Sequence, residues 1–271
     1  MYTKKSALAL ILTACLLALL LVAGCAQDNP AGNEAGRPEK QGAVTVTDFI
    51  GRQVAVPDNV ERIGCLYAFS GHVVAMLGRG GDIVAVVEGL KRDVIMGELC
   101  PGIGEALVPA SSGAVNVEEL LNARPDLVFI RSETAANEGE KAKLEKTGIP
   151  YLVVDYRNMK EQMYIVEMIG QAVGEKERAL KYNEYYQRCI DRVQERVQNI
   201  PLDERVRIYH SINEATRTDA RDTLPADWTQ VAGAINVSVN EELKFLEDKY
   251  FAGLEQILLW DPEVIIVNEA G

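Results

Sequence analysis

Two stretches decide the fold: VEELLNARPDLVFI, Val117 to Ile130, and LEQILLWDPEVIIV, Leu254 to Val267. They align without a gap at a constant offset of 137, so Glu118 falls on Glu255, Pro125 on Pro262 and Asp126 on Glu263. In each, apolar residues at helical spacing run into a proline, which cannot continue a helix, and then into a short apolar run. A helix, a break and a buried strand make part of a βαβ unit. Two such units in one chain predict two similar α/β lobes with parallel sheets.

The flanking sequence extends the pattern. VTVTDFIGRQVAVP (Val44 to Pro57) alternates, turns near Gly51 and alternates again, which predicts a hairpin. ERIGCLYA (Glu61 to Ala68) and DIVAVV (Asp82 to Val87) read as strands, with Ser70 capping a helix over Gly71 to Leu77. Glu88 to Gly113, with Pro101 and several glycines, reads as loop or a short helical turn. A helix over Gly139 to Lys146 leads into the strand Tyr151 to Asp155. Helical pattern then runs from Glu161 to Ile200 with a joint at Gly174; a helix of about 25 residues spans roughly 38 Å, enough to join two lobes. RVRIYH (Arg205 to His210), a helix around Trp228 to Ala232 and AINVSV (Ala234 to Val239) start the second lobe. The predicted organisation is residues 43–174 as first lobe, 175–200 as interdomain helix and 201–271 as second lobe. Nothing after Val267 mirrors Arg131 to Gly174, so the second lobe is expected to be incomplete, truncated at its C-terminus and left with an open sheet edge.

A chain of 271 residues with 48% apolar and 25% charged residues suits two soluble domains. Its net charge of −12 argues against a nucleic-acid surface, which needs clustered Lys and Arg. Lys4 and Lys5 precede an apolar run that ends in Ala23-Gly24-Cys25, the layout of a secretory signal over residues 1–24. LLVAGC (Leu20 to Cys25) is similar to a bacterial lipobox, which makes Cys25 the lipidated N-terminus; an uncleaved anchor is the alternative. Residues 25–42, rich in Gly, Pro and charge, read as a flexible tether to the membrane. Cys65, Cys100 and Cys189 remain, without CxxC or Cys/His spacing. They read as structural thiols, with a Cys65–Cys100 bridge as the alternative.

The segments VTVTDFIGRQVAVPDNVERI (Val44 to Ile63), VNVEELLNARPDLVFI (Val115 to Ile130) and GIPYLVV, the long helix and LEQILLWDPEVIIV carry a family likeness. The chain resembles the substrate-binding lipoproteins of bacterial ABC importers for iron complexes and cobalamin. The resemblance implies two Rossmann-like lobes joined by one long helix, no catalysis, and capture of an iron–siderophore, haem or corrinoid between the lobes. A monomer anchored outside the cell membrane would deliver this solute to a permease dimer. It further implies docking through one glutamate per lobe, here Glu118 and Glu255, which pair with permease arginines. Alone, each glutamate in a helix's first turn better suits the helix dipole, and the match across lobes is what favours docking.

In open α/β sheets ligands gather beyond the carboxyl ends of the strands. That rule nominates Tyr67, Phe69, Ser70, His72, Arg131, Ser132, Glu133, Tyr156 and Arg157 in the first lobe. In the second it nominates His210, Asn213, Glu214, Arg217, Arg221, Trp228, Asn268 and Glu269. His72 and His210, the two histidines of the chain, are nominated as a pair that could face each other across a cleft and touch a metal centre or an anionic chelate, although two unrelated structural histidines is the favoured reading. The arginines would clamp carboxylates or phosphates, and Tyr67 and Trp228 would stack on a flat ligand, with surface solvation and core packing as the respective alternatives. No metal site of the protein's own is expected. An oxyanion such as molybdate is the alternative solute. An enzyme is the alternative of another class, but G-x-S-x-G, HExxH and P-loop motifs are absent, and Ser70-Gly71-His72 is poor triad geometry. A structural envelope lipoprotein would not need two mirrored lobes.

Overall fold

The computed structural model describes residues 42–246 and 249–268. The proposed signal peptide, most of the tether, Cys25 and Glu269 lie outside the described residues. Two mainly parallel sheets with flanking helices form two α/β lobes joined by one long helix.

In the first lobe a six-stranded sheet runs in the order Ala114–Val115, Leu107–Ser111, Ile83–Val87, Ile63–Cys65, Leu127–Arg131, Tyr151–Val154. All pairs are parallel except the outermost at Ala114–Val115. The central strands Ile63–Cys65 and Leu127–Arg131, Arg131 apart, are buried on both faces, as helices on both sides require. The hairpin Ala43–Thr47 with Gln53–Pro57 closes the free edge at Tyr151–Val154. Its turn places buried Asp48 where Oδ2 accepts from Val153 N (3.2 Å) and from Arg52 Nη2 (2.8 Å), while Phe49 N donates to Val153 O. Gly51 supplies the positive φ (82°) that the turn needs. A strand edge is thereby capped by side chain and turn rather than left to pair with another chain.

The second lobe repeats the inner part of this sheet, in the order Ile235–Asn236, Arg207–Ile212, Val264–Asn268, all parallel. The repeated sentence proves to be a hydrogen-bonded module. Helices Val117–Ala123 and Leu254–Trp260 each end on a left-handed residue before the proline, Arg124 (φ 47°) and Asp261 (φ 43°). The proline disfavours a right-handed residue before it, and a left-handed cap turns the chain into the strand. The acid that follows ties this corner to the lobe's first strand. Asp126 Oδ2 accepts from Arg62 N (3.1 Å), and Glu263 Oε1 accepts from Arg207 N (3.0 Å). Arg62 and Arg207 in turn donate to the last helical carbonyls, those of Ala123 and Trp260.

Helices Met159–Ala172 and Lys176–Val197 flank Gly174, which has a positive φ of 77°. The long helix packs against the first lobe through Ala179 beside Gly170, and Arg178 Nη1 donates to Leu77 O. At its other end Val197 lies so close to Gly233 that a Cβ there would meet it. One rod therefore touches both lobes.

Several expectations need correction. Leu107–Ser111 is a strand in a segment read as loop or a short helical turn, whose short helices are Glu88–Arg92 and Val94–Leu99. A small antiparallel sheet of Arg217–Thr218, Lys249–Phe251 and Lys244–Leu246 was not foreseen. The helix read from Gly71 begins at Ala68 with Tyr67 as its cap, and buried Ser70 donates to Tyr67 O rather than capping. The cysteines need no correction: Cys65, Cys100 and Cys189 are free thiols, and burial pushes the Cys65 thiol up to about 12.

Candidate ligand cleft

Three adjacent parallel strands of the first lobe end side by side, at Cys65, Arg131 and Val154. Their exits bring most of the nominated first-lobe residues together. The Arg131 guanidinium lies over the Tyr67 ring at 5.5 Å, Tyr67 lies 6.3 Å from Phe69, and Phe69 packs at 4.5 Å on Tyr156. Burial, helped by Tyr156, pushes the Tyr67 phenol well above its usual range. Asp155, not nominated, organises the floor: it accepts from Ser132 Oγ and from Tyr156 N. Arg131 also reaches Glu133 at 3.2 Å. Arg157 is held by Glu161 at 2.7 Å, and this bond keeps the Glu161 carboxyl below the ordinary range.

Ser132, Asp155, Arg157, Asn158 and Glu161 line a groove of about 700 Å³ on this lobe. Arg157, Asn158 and Glu161 also form one wall of a second cavity, about 710 Å³, whose other wall is the second lobe. That wall carries Arg221, Asp222, Asp227, Thr229, Asn236 and Asn240 among others. Asp227 Oδ2 accepts from Met159 N across the interface. Arg221 Nη2 donates to Asn240 Oδ1 at 2.6 Å.

The second-lobe nominations are scattered by comparison. His210 is 2% exposed, its Nδ1 is bonded to buried Asp219, and Trp228 meets its ring edge-on at 5.6 Å. His72 is exposed and pairs instead with Asp93 at 2.9 Å. The two histidines therefore do not form a facing pair. Among the described residues no group of three His, Cys, Asp or Glu is arranged to hold a metal ion. Asn213 and Glu214 line a separate apolar groove with Leu254, Leu258, Ile265 and Val267. The Asn268 carbonyl is occupied by Asn213 N, and Arg217 lies half-buried in the small antiparallel sheet. Glu118 and Glu255 are exposed, each at the second position of its helix. Asp227 and Thr229 were missed because they lie inside a helix, and Asn236 because the run Ala234 to Val239 stops pairing at Asn236, earlier than its pattern suggests.

A family model described as a periplasmic binding protein matches residues 96–270. The chain belongs to the periplasmic binding protein family. Within it, this binding protein is 24% identical over 238 residues to the uncharacterized ABC transporter substrate-binding lipoprotein YvrC of Bacillus subtilis, covering 85% of this chain and 73% of that one. It is also 24% identical over 249 residues to the molybdate-binding protein MolA of Haemophilus influenzae, covering 83% and 68%. The solved structure of MolA bound to molybdate matches this binding protein with a TM-score of 0.70 at 22% identity, over 83% of this chain and 73% of that one. The vitamin B12 binding protein BtuF of Vibrio cholerae matches with a TM-score of 0.61 at 21% identity, over 77% and 76%. At these identities the solved structures establish a common fold, and the family is a class of binding proteins rather than of enzymes.

Proposed function

We propose that this chain is the solute-binding component of an ABC importer that captures a metal chelate between its lobes and passes it to a permease dimer. The observation that carries the reading is the Arg131–Tyr67–Phe69–Tyr156 cluster at the ends of three parallel strands; Arg157, the next residue after Tyr156, lines the interlobe cavity. Flat aromatic faces and guanidinium groups suit the organic shell of an iron–siderophore, haem or corrinoid. The donor set of the cleft favours a metal that arrives with its own ligands over a bare ion.

In this reading residues 43–174 and 201–271 are the lobes and 175–200 is the rod between them. Residues 1–24 direct export, Cys25 carries the lipid, and residues 25–42 tether a monomer outside the membrane. Tyr67, Arg131, Ser132, Tyr156 and Arg157 contact the solute, while Glu118 and Glu255 meet the permease. A second reading is an oxyanion binder. Arg157, Arg205 and Arg221 around one cavity favour it, as does the likeness to a molybdate-binding protein.

Thermal melting against ferric siderophores, haemin, cobalamin and molybdate separates the readings. A ligand at a hundredfold excess over its Kd stabilises the folded state by about 2.7 kcal/mol, a readily measured rise in Tm. A shift with molybdate alone selects the oxyanion reading. No shift with any of them, together with chemical turnover of one, overturns both.

A further inference from the structure

We propose that an exposed basic stripe on the rod, made of Lys181, Arg188, Arg192 and Arg196, is a second contact with the membrane and lies on anionic lipid headgroups. The inference draws on the membrane tether of the reading above only for nearness, and it does not depend on what the cleft holds.

At about 100° per residue, Arg178, Lys181, Tyr185, Arg188, Arg192 and Arg196 of the helix Lys176–Val197 fall within an arc of roughly 80°. Every residue in that arc is a cation or a tyrosine. Glu177, Glu184, Asp191 and Glu195 fall in the next arc, so the helix sorts its charges into two stripes side by side. Arg178 is used within the fold, by Glu175 and by Leu77 O. Lys181, Arg188, Arg192 and Arg196 are exposed, and none of them is paired with a carboxylate among the described residues. Glu177 before Lys181 and Glu184 before Arg188 stand in the favourable i, i+4 order, yet neither pair forms. Arg188, Arg192 and Arg196 instead set like charges at i, i+4, which weakens an isolated helix. Tyr185, 58% exposed, stands in the same row. A helix face of free cations without partners inside the protein calls for an anionic partner outside it.

The chain carries a net charge of −12, so the stripe is a local reversal of sign. From Lys181 to Arg196 it runs about 22 Å along the helix, a length that suits an extended anionic surface better than a small ion. Each cation brought to an anionic membrane raises partitioning about fivefold. Tyr185 suits the headgroup level, where its ring meets apolar matter and its hydroxyl meets water. The acidic remainder of the protein feels the surface only within the Debye length, about 8 Å at physiological salt. Residues 25–42, even fully extended, reach at most about 65 Å from a lipidated Cys25, which makes the bilayer the anionic surface always at hand. Held by Cys25 and by the rod, the protein presents one side to the membrane instead of turning freely on its tether.

The test uses the mature chain, residues 25–271, with Cys25→Ser so that no lipid is attached and the stripe acts without the anchor. Partitioning is measured by sedimentation with vesicles of equal parts phosphatidylglycerol and phosphatidylcholine, and with vesicles of phosphatidylcholine alone. One variant neutralises the stripe through Lys181→Gln, Arg188→Gln, Arg192→Gln and Arg196→Gln. A control removes the same charge from exposed positions off the stripe, through Arg92→Gln, Lys146→Gln, Lys176→Gln and Lys244→Gln. The stripe variant should keep the wild-type Tm and lose on the order of several hundredfold in partitioning onto the anionic vesicles. The control should lose less than about threefold, because charges off the contact are screened. Arg188→Gln with Arg192→Gln alone should lose about twenty-fivefold, and decides the matter if the fourfold variant does not fold. Wild-type partitioning of the stripe variants, or equal losses in stripe and control, overturns the proposal. So does a wild type that ignores anionic vesicles at low salt, including one that binds soluble polyphosphate instead. None of these outcomes touches solute capture, which the melting experiment reads separately.

Discussion

Asp227 of the second lobe accepts a hydrogen bond from the backbone amide of Met159 in the first, Oδ2 to N at 2.8 Å. Met159 opens the helix Met159–Ala172, so its amide is one of the donors that the helix itself cannot satisfy. The N-cap Asn158 serves Glu161 N, and a side chain from the other lobe serves Met159. The carboxylate also complements the positive end of the helix dipole. The contact between the lobes is thus tied to a helix end that needs an acceptor.

Asp227→Ala is expected to loosen the interface, with a loss of about 1–2 kcal/mol in unfolding free energy. Asp227→Asn, which keeps an acceptor oxygen, should lose less. Small-angle scattering of the unliganded protein should show a larger radius for the alanine variant. Identical profiles would mean that the lobes are held by packing alone.

The corner clamp makes a different prediction, because it is far from the solute. Arg62→Ala removes two bonds to the end of one helix, to Ala123 O (2.6 Å) and Arg124 O (3.0 Å), and Arg207→Ala removes the matching bond in the other lobe. Each should cost about 1–2 kcal/mol, read by thermal or urea unfolding. In the double variant the costs should add within about 0.5 kcal/mol, since the sites share no partner. Solute affinity should not move. A strongly non-additive pair would show that the lobes unfold as one coupled unit through these corners.

The repeat was legible because its parts are local. A proline, an acid after it and an apolar run on each side carry the helix end, the left-handed turn and the strand, and the offset of 137 survives into matching helix bounds. The Gly174 joint and the hairpin around Gly51 were legible for the same reason. Leu107–Ser111 was not, since Pro109 argues against a strand and its pairing comes from Ala85 and Val87, far away in sequence. The small antiparallel sheet has strands of two or three residues, too short for any period to show. His210 was misplaced by a two-residue shift: the strand read as Arg205 to His210 runs from Arg207 to Ile212. The ring thus falls inside the strand and turns to Asp219 and Trp228, and the true exit is at Asn213.

Acid should act on the cleft through Glu161. Its hydrogen bond from Arg157 lowers its pKa in the folded state, with smaller help from Arg157 N and Asn158. A carboxylate lowered on folding stabilises the protein fully above its unfolded value, about 4.3, and that gain is lost as pH falls through the lower folded value. The pair is partly exposed, so the effect is under about 1 kcal/mol. Tm measured from pH 7 to pH 3 should show Glu161→Gln below the wild type at neutral pH and the two curves converging in acid. Parallel curves would remove Glu161 from the acid response.

Glu118 and Glu255 occupy the same position in the two copies of one module, exposed in the first turn of helices that begin at Val117 and Leu254. A role confined to the helix dipole would make each worth a few tenths of a kcal/mol to stability and nothing to transport. A docking role requires something else. Two carboxylates on like-built lobes present a two-fold pattern, and a two-fold permease can read it with two cations, which sets register and encounter rate more than affinity. Glu118→Lys combined with Glu255→Lys should therefore leave solute binding and Tm nearly unchanged, and should abolish binding to the permease in membrane vesicles. Each single variant should weaken docking part-way, and the wild-type interaction should fall as salt is raised. Docking that survives the double reversal would return both residues to the helix dipole.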